Sequence, residues 1–360
     1  MPEKCVYLKP MSFEEHIGLL RQMISIPSVS TSEAEVADLL QRTLEAEGFT
    51  VHRKGNNIWL DSADIRPCDG PVILLNAHID TVKPASSYTR DPFEASVEGD
   101  RIYGLGSNDD GASVIALLAA FRELVSRPQP YRLVWSATAE EENSGTQGVE
   151  LIFPELGKID FGIFGEPTGM RLAVAERGLM VLDCTSCGKS GHAARNEGEN
   201  AIYKALADIE WFRSYQFPKV SDYLGPVKMT VTMISAGTQH NVVPDACKFV
   251  VDVRPNGLYD NAFILDYIKA HVSCEVVPRS MRRLSSHIEG SHPFVRKAVA
   301  EGLECFGSPT LSNWALASFP AVKLGPGESS RSHGADEFVC ISEIRSAIDT
   351  YIKLLDGFCL

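Results

Sequence analysis

The segment PVILLNAHID, residues 71–80, constrains this chain most. Val72 to Leu75 form an apolar run that reads as a buried strand, yet the run leads directly to His78 and Asp80. The pattern returns along the chain. GLGSNDDGAS supplies Asp109 and Asp110, SATAEEENSG supplies Glu140, Glu141 and Glu142, FGEPTG supplies Glu166, and SRSHGADE supplies His333. In an open parallel sheet, ligands gather beyond the carboxyl ends of the strands. Apolar runs that repeatedly end on acids and histidines are therefore expected to converge at one sheet edge, the strands acting as rigid mounts for a metal site.

The rest of the chain supports an α/β layer. Ser12 with Glu15, and Ser32 with Glu35, fit capping boxes that open two helices, the second stopping at Gly48. A hairpin is expected around KGNN, a helix over GASVIALLAAFREL, and strands at YRLVWSAT and DFGIF. After about Glu176 the texture changes. GLMVLDCTSC, GPVKMTVTMIS and ACKFVVDVRP read as strands, and NAIYKALADIEWF and NAFILDYIKAH as helices. That segment is long enough to fold alone. Beyond about Ser291 the first texture returns, with helices expected at HPFVRKAVAEGLECF and ISEIRSAIDTYIKLLD, so one domain is inserted into another.

Composition removes several alternatives. A formal net charge of -13 argues against a nucleic-acid partner, since phosphate binding needs basic patches. The opening MPEKCVYLKPMSFEEH lacks the apolar core of a leader, and no apolar run approaches the ~18 residues that span a bilayer, so no membrane partner is expected. Nine scattered cysteines do not form a disulfide framework and favour a reducing cytoplasm. Cys184 and Cys187, in CTSC, have metal or redox spacing but no second pair; a structural reading is preferred. No Gly-x-Ser-x-Gly elbow is present. GLGSND has Asp109 where a dinucleotide loop needs its third glycine, and the GKS at 188–190 has Asp183 where a phosphate loop needs glycine.

The residues that remain have a coherent chemistry. Residues i and i+2 of a strand share a face, so Asp80 is expected to bond one nitrogen of His78 and leave the other for metal. Imidazoles with carboxylates suit zinc, cobalt or manganese better than calcium or magnesium. The number of candidate ligands leaves room for two ions, ~3.5–4 Å apart when a carboxylate bridges them.

Taken in order, the His-x-Asp pair, the Gly-x-Gly-Ser-x-Asp stretch, the glutamate triplet, Gly-Glu-Pro and the late histidine resemble a known family over nearly the whole chain. It is the zinc-dependent deacylase and carboxypeptidase family that includes acetylornithine deacetylase, succinyl-diaminopimelate desuccinylase and glutamate carboxypeptidase. The resemblance implies two Zn2+ ions, replaceable by Co2+. One ion would take His78, Asp109 and Glu166, the other Asp109, Glu142 and His333, with Glu141 as general base and Asp80 supporting His78. It also implies a cis peptide at Asp109–Asp110. The implied fold is a mostly parallel-sheet dizinc catalytic domain, residues 1–176 and 289–360, with helices on both faces. Residues 177–288 would form an inserted ferredoxin-like α+β lid that dimerises.

In that lid, GKSGHAA resembles the signature whose histidine, here His192, reaches the partner subunit's site. Asn241, in GTQHNVVPD, and Arg254, in VDVR, match the family's substrate-binding positions, Arg254 gripping a carboxylate; His240 is read as a local packing or hydrogen-bonding residue. The chain departs from many relatives in having Asp110 then Gly111 where they carry Met-Lys-Gly, and Glu140 where they carry Asp. Neither change removes an implied ligand. The expected activity is amide hydrolysis of an N-acyl amino acid in the cytoplasm by a homodimer. The texture of AERGLMVLDC and RSHGADE most resembles acetylornithine deacetylases of arginine biosynthesis, so N-acetylornithine, N-succinylornithine or N-acetylcitrulline is the expected substrate. A desuccinylase of diaminopimelate or a dizinc dipeptidase is the alternative, and a non-catalytic metal-binding homologue the third. A succinyl group would need another cation, for which Arg177, Arg279 and Arg331 are candidates.

Overall fold

The computed structural model describes residues 11–195 and 197–360. Residues 1–10, where the expected lack of a leader was read, lie outside the described residues. The chain divides into two compact units. The first runs to Val174 and resumes over Ile288–Phe306 and Ser312–Leu360; the second takes Ala175–His287 and Gly307–Leu311.

The first unit is built on a sheet with a parallel centre. The strand Val72–His78 lies between Arg132–Thr138 and Phe161–Phe164, parallel to both, and Ala321–Lys323 continues the parallel set beside Phe161–Phe164. Antiparallel strands flank this centre: the hairpin His52–Lys54 with Asn57–Asp61 on one side, and Leu172–Glu176 on the other. The hairpin turns at Gly55, whose φ of 62° lies in the left-handed region, so the expected KGNN turn is present.

Strand alternation explains the two faces. Ile73, Leu75 and Ala77 join Leu133, Trp135 and Ala137 in one core, covered by the helices Phe13–Ile24, Ala34–Ala46, Ala112–Val125, Pro293–Ala300 and Ile341–Leu355. Val72, Leu74 and Val134 face the other way, onto Val149, Ile152 and Leu156 from a 3-10 turn and the short helix Phe153–Leu156. Each fully buried aliphatic side chain of this kind contributes roughly 1.5–3 kcal/mol. Along that second face the strand changes character in steps. Leu74 is in the core, while Asn76 donates to Ser136 Oγ (2.9 Å) and Thr138 Oγ1 (3.0 Å). Next on that face, His78 ends the strand.

Two sequence expectations shift. Ser12 and Glu15 form the capping box as expected. The second helix, however, starts at Ala34 with Glu33 as its N-cap and no side-chain cap, because Glu33 turns away to accept from Thr31 N–H (2.6 Å) and Asn56 (3.1 Å). The helix expected to run through Phe306 stops at Ala300; Gly302 takes a left-handed φ of 92°, and Cys305–Ser308 is a strand.

The second unit has the order strand Met180–Cys187, helix Ala201–Ser214, strands Lys228–Ala236 and Ala246–Arg254, helix Asn261–His271, strand Glu275–Pro278. Its antiparallel sheet places Met180–Cys187 between Ala246–Arg254 and Glu275–Pro278, with Lys228–Ala236 at the edge. This is the ferredoxin-like arrangement. Burial alternates along Met180–Cys187, so Cys184 is buried and Cys187 exposed; three residues apart, they point to opposite faces and cannot hold one ion. No helix among the described residues is long and apolar enough to cross a membrane.

Candidate metal centre

His78 is the fixed point of the site. Its side chain is 2% exposed, and its Nδ1 lies 2.8 Å from the backbone carbonyl of Asp80. A carbonyl only accepts, so Nδ1 carries a proton, and Nε2 is the nitrogen left to bind a cation once its own proton is displaced. The expected partner was the Asp80 carboxylate, which stands farther away, at 3.5 Å. That carboxylate does another job: it accepts the N–H groups of Glu141 and Glu142 (both 3.0 Å) and the hydroxyl of Ser30 (2.7 Å). Asp80 thus ties the glutamate loop to the histidine strand.

Asp109 lies between two imidazoles. One oxygen is 3.1 Å from His78 Nε2; the other is 3.7 Å from His333 Nε2, which also meets Glu142 at 2.9 Å. The Asp109–Asp110 peptide is cis, as expected. Donor atoms of His78, Asp109 and Glu142 lie within 4.8 Å of one another, as do those of His78, Glu141 and Glu166. The fold therefore brings together His78, Asp109, Glu142, Glu166 and His333, and also sets Glu141, read from sequence as a base, within ligand distance.

The electrostatics fit a cation-binding cluster. Burial opposes a charge on His78, but Asp109 and Asp80 outweigh it and hold the ring well above its ordinary pKa. Burial alone would raise Asp109, yet His78 keeps it low. Burial pushes Glu166 well up against the opposing charge of Lys323, a buried lysine whose Nζ is 3.6 Å from Glu166 Oε2. Burial likewise raises Asp110 to about 7. A buried set of carboxylates with two imidazole nitrogens aimed among them suits divalent zinc-type cations, which relieve the mutual repulsion.

Sequence reading missed four supports of this site: Ser30, Asn108, Lys323 and Glu337. Glu337 was legible in part, standing within the same SRSHGADE segment as His333. A lone serine or asparagine carries no comparable signal.

His192, Asn241 and Arg254 belong to the second unit. His192 is exposed, and its Nδ1 accepts the N–H of Ala194 (3.1 Å), leaving the proton on Nε2. Asn241 is exposed. Arg254 directs its fork at Asp252, at 2.7 and 3.0 Å, so a substrate carboxylate would have to compete for it.

Comparison with known proteins agrees with this geometry. The model of Peptidase family M20/M25/M40 matches residues 74–357, and the chain belongs to that family. It is a metal-dependent hydrolase. Acetylornithine deacetylase of Proteus mirabilis (strain HI4320) is 26% identical, over 96% of this chain and 97% of its own. Succinyl-diaminopimelate desuccinylase of Gluconobacter oxydans (strain 621H) is 28% identical, over 95% and 97%. Among solved structures, aminopeptidase PepT from Bacillus cereus ATCC 10987 shares the fold with a TM-score of 0.78 at 18% identity, covering 96% of this chain and 99% of that one.

Proposed function

We propose that this chain hydrolyses the amide bond of an N-acyl amino acid, with N-acetylornithine as its substrate. The observation that carries the reading is Asp109 set between His78 and His333 with Glu141 alongside. His78, Asp109 and Glu166 would hold one zinc ion, and Asp109, Glu142 and His333 the other; cobalt would substitute. When bound, such a pair of cations acidifies water and polarises the amide carbonyl. Glu141 then takes the water proton at its carboxylate and returns it to the leaving nitrogen as the C–O bond forms and the C–N bond breaks. His192, with its proton on Nε2, is the donor for the oxyanion. Arg254, released from Asp252, grips the α-carboxylate, and Asn241 helps to position the substrate.

We further read the enzyme as a cytoplasmic homodimer of arginine biosynthesis. In support of the dimer, Lys228–Ala236 is a nine-residue edge strand on which Met233 and Ile234 are 63% and 57% exposed. An apolar edge of that length is a template for pairing with another copy.

Arg279 and Arg331 are committed to Asp183 and Glu343, and Arg177 donates to the carbonyls of Pro226 and Leu224. Each of the three would have to give up its present partner to bind a succinyl carboxylate, as Arg254 gives up Asp252 for the α-carboxylate. The second reading, a diaminopimelate desuccinylase, is favoured by the relative from Gluconobacter oxydans. The deciding experiment measures amine release from N-acetyl and N-succinyl forms of ornithine, citrulline and diaminopimelate after reconstitution with zinc or cobalt. Fastest turnover of N-acetylornithine supports the first reading. Preference for succinyl-diaminopimelate supports the second, and no release from any of them removes both.

A further inference from the structure

We propose that Glu337 and Asn108 form a two-way clamp that fixes the loop of Asp109 to the loop of His333. The clamp thereby presets the cation position that these two residues share with Glu142. Both are positioning residues, and the proposal rests on the two-cation reading above.

The need for a clamp comes from where His333 stands. It lies in a segment without regular structure, its side chain is 55% exposed, and its φ of 60° is left-handed. Neither strand pairing nor core packing sets its direction. Asp109 has a similar problem, in the irregular stretch after Gly106. The two stretches first meet through a short ladder, in which Phe338 pairs with Tyr103 and Cys340 with Arg101. That ladder aligns the chain leaving Tyr103 with the chain entering Phe338, and Gly104 N–H donates to the Glu337 carbonyl at 3.0 Å.

Beyond the ladder the side chains take over. Glu337, 2% exposed, accepts N–H groups from Gly106 (3.2 Å) at one oxygen and from Asn108 (2.8 Å) and Asp109 (2.9 Å) at the other. One carboxylate thus collects three amides from the segment ending at the ligand. Asn108 returns the connection. Its Oδ1 accepts from Glu328 N–H (3.0 Å), and its Nδ2 donates to the Glu328 carbonyl (3.1 Å) and to Ser332 Oγ (3.3 Å), next to His333. Close approach at this point requires glycine: a Cβ on Gly327 would stand 2.3 Å from Asn108 Oδ1, and its φ is 79°. Each loop therefore holds the other, and the Asp109–His333 spacing is set before any ion arrives. His78 needs no such device because its strand is paired on both sides up to Asn76 and pairs His78 itself with Thr138.

The clamp predicts unequal damage. Groups that orient metal ligands typically matter about 10–100-fold in metal affinity. Metal-stripped wild type, Glu337→Gln and Asn108→Ala are titrated with Co2+, following heat and the visible cobalt spectrum. Wild type is expected to take two ions. In the variants the first ion binds within about threefold of wild type, while the second weakens by about 10–100-fold in Glu337→Gln and less in Asn108→Ala, with its spectrum altered. Thermal unfolding of the metal-free variants checks that they are folded; if Glu337→Gln is not, Asn108→Ala alone decides. Two ions bound as in wild type, or two ions weakened by one common factor, overturn the clamp. Failure of wild type to take two ions instead overturns the reading on which the clamp rests.

Discussion

His78 and His333 reach the same carboxylate from opposite kinds of scaffold. His78 is 2% exposed at the end of a strand paired on both sides, so its position follows from the sheet. His333 is 55% exposed on a left-handed loop residue, so its position follows from side chains that hold that loop. One ligand is placed by packing and the other by hydrogen bonding. The comparison teaches that the two cation positions should fail differently, since one depends on a closely packed sheet and the other on a few hydrogen bonds whose loss leaves buried groups unpaired.

The strongest test concerns the loop between these scaffolds. Asp80 holds Glu141 and Glu142 through adjacent N–H groups, yet the roles proposed for them differ. Glu141→Gln is expected to keep both ions and lose about 10²–10⁴-fold in turnover, the usual range for a general base. Glu142→Gln should lose the ion on the His333 side. Metal content by elemental analysis beside kcat separates them, and a fully active Glu141→Gln would remove that residue as the base.

A second test strikes the strand scaffold. Leu75 is fully buried beneath the site, and Leu75→Ala should cost about 2–5 kcal/mol in urea unfolding. The folded fraction should still bind its first ion normally. The loop counterpart is Thr89, which donates to Asp336 through its hydroxyl (2.6 Å) and N–H (2.9 Å). Thr89→Val, which removes the hydroxyl bond, should cost only about 1 kcal/mol. A larger loss at Thr89 than at Leu75 would reverse the comparison.

The smallest effect is in the pH dependence of metal-free protein. Glu142 beside His333 raises it to about 9, while burial raises Glu337 to about 8 and Asp110 to about 7. In each case the folded chain keeps a proton that the unfolded chain has released. For the two carboxyls this operates from the ordinary carboxyl range up to about 7–8; for His333 it operates from 6.5 to about 9. Stability should therefore fall as pH rises through those windows. Melting of chelated protein is expected to drop by a few degrees between about pH 6 and pH 9, and added zinc should flatten the profile. A chelated protein that gains stability over that range would contradict the assignment.

Strand-mounted features were the readable ones. Val72–His78 could be recognised because a run of apolar residues has few alternatives to a buried strand, and its terminal histidine inherits that placement. The start of the second helix was misread because Ser32 and Glu35 have capping-box spacing, yet the chain places Glu33 at the N-cap. Glu33 serves Thr31 and Asn56, and the helix starts at Ala34. Asp80 stands beside His78 as expected, but its carbonyl is the nearer acceptor, a distinction that spacing along a strand does not make.

The order of apolar runs and their acidic endings was enough to determine the α/β layer and the inserted unit and to single out the candidate ligands, because periodicity and residue chemistry are local properties. Only the tertiary structure decided that Glu337 and Asn108 join loops more than two hundred residues apart, and that the three spare arginines are already engaged. Those outcomes depend on which hydrogen-bonding groups meet once the chain has closed on itself, and neither periodicity nor spacing records that meeting.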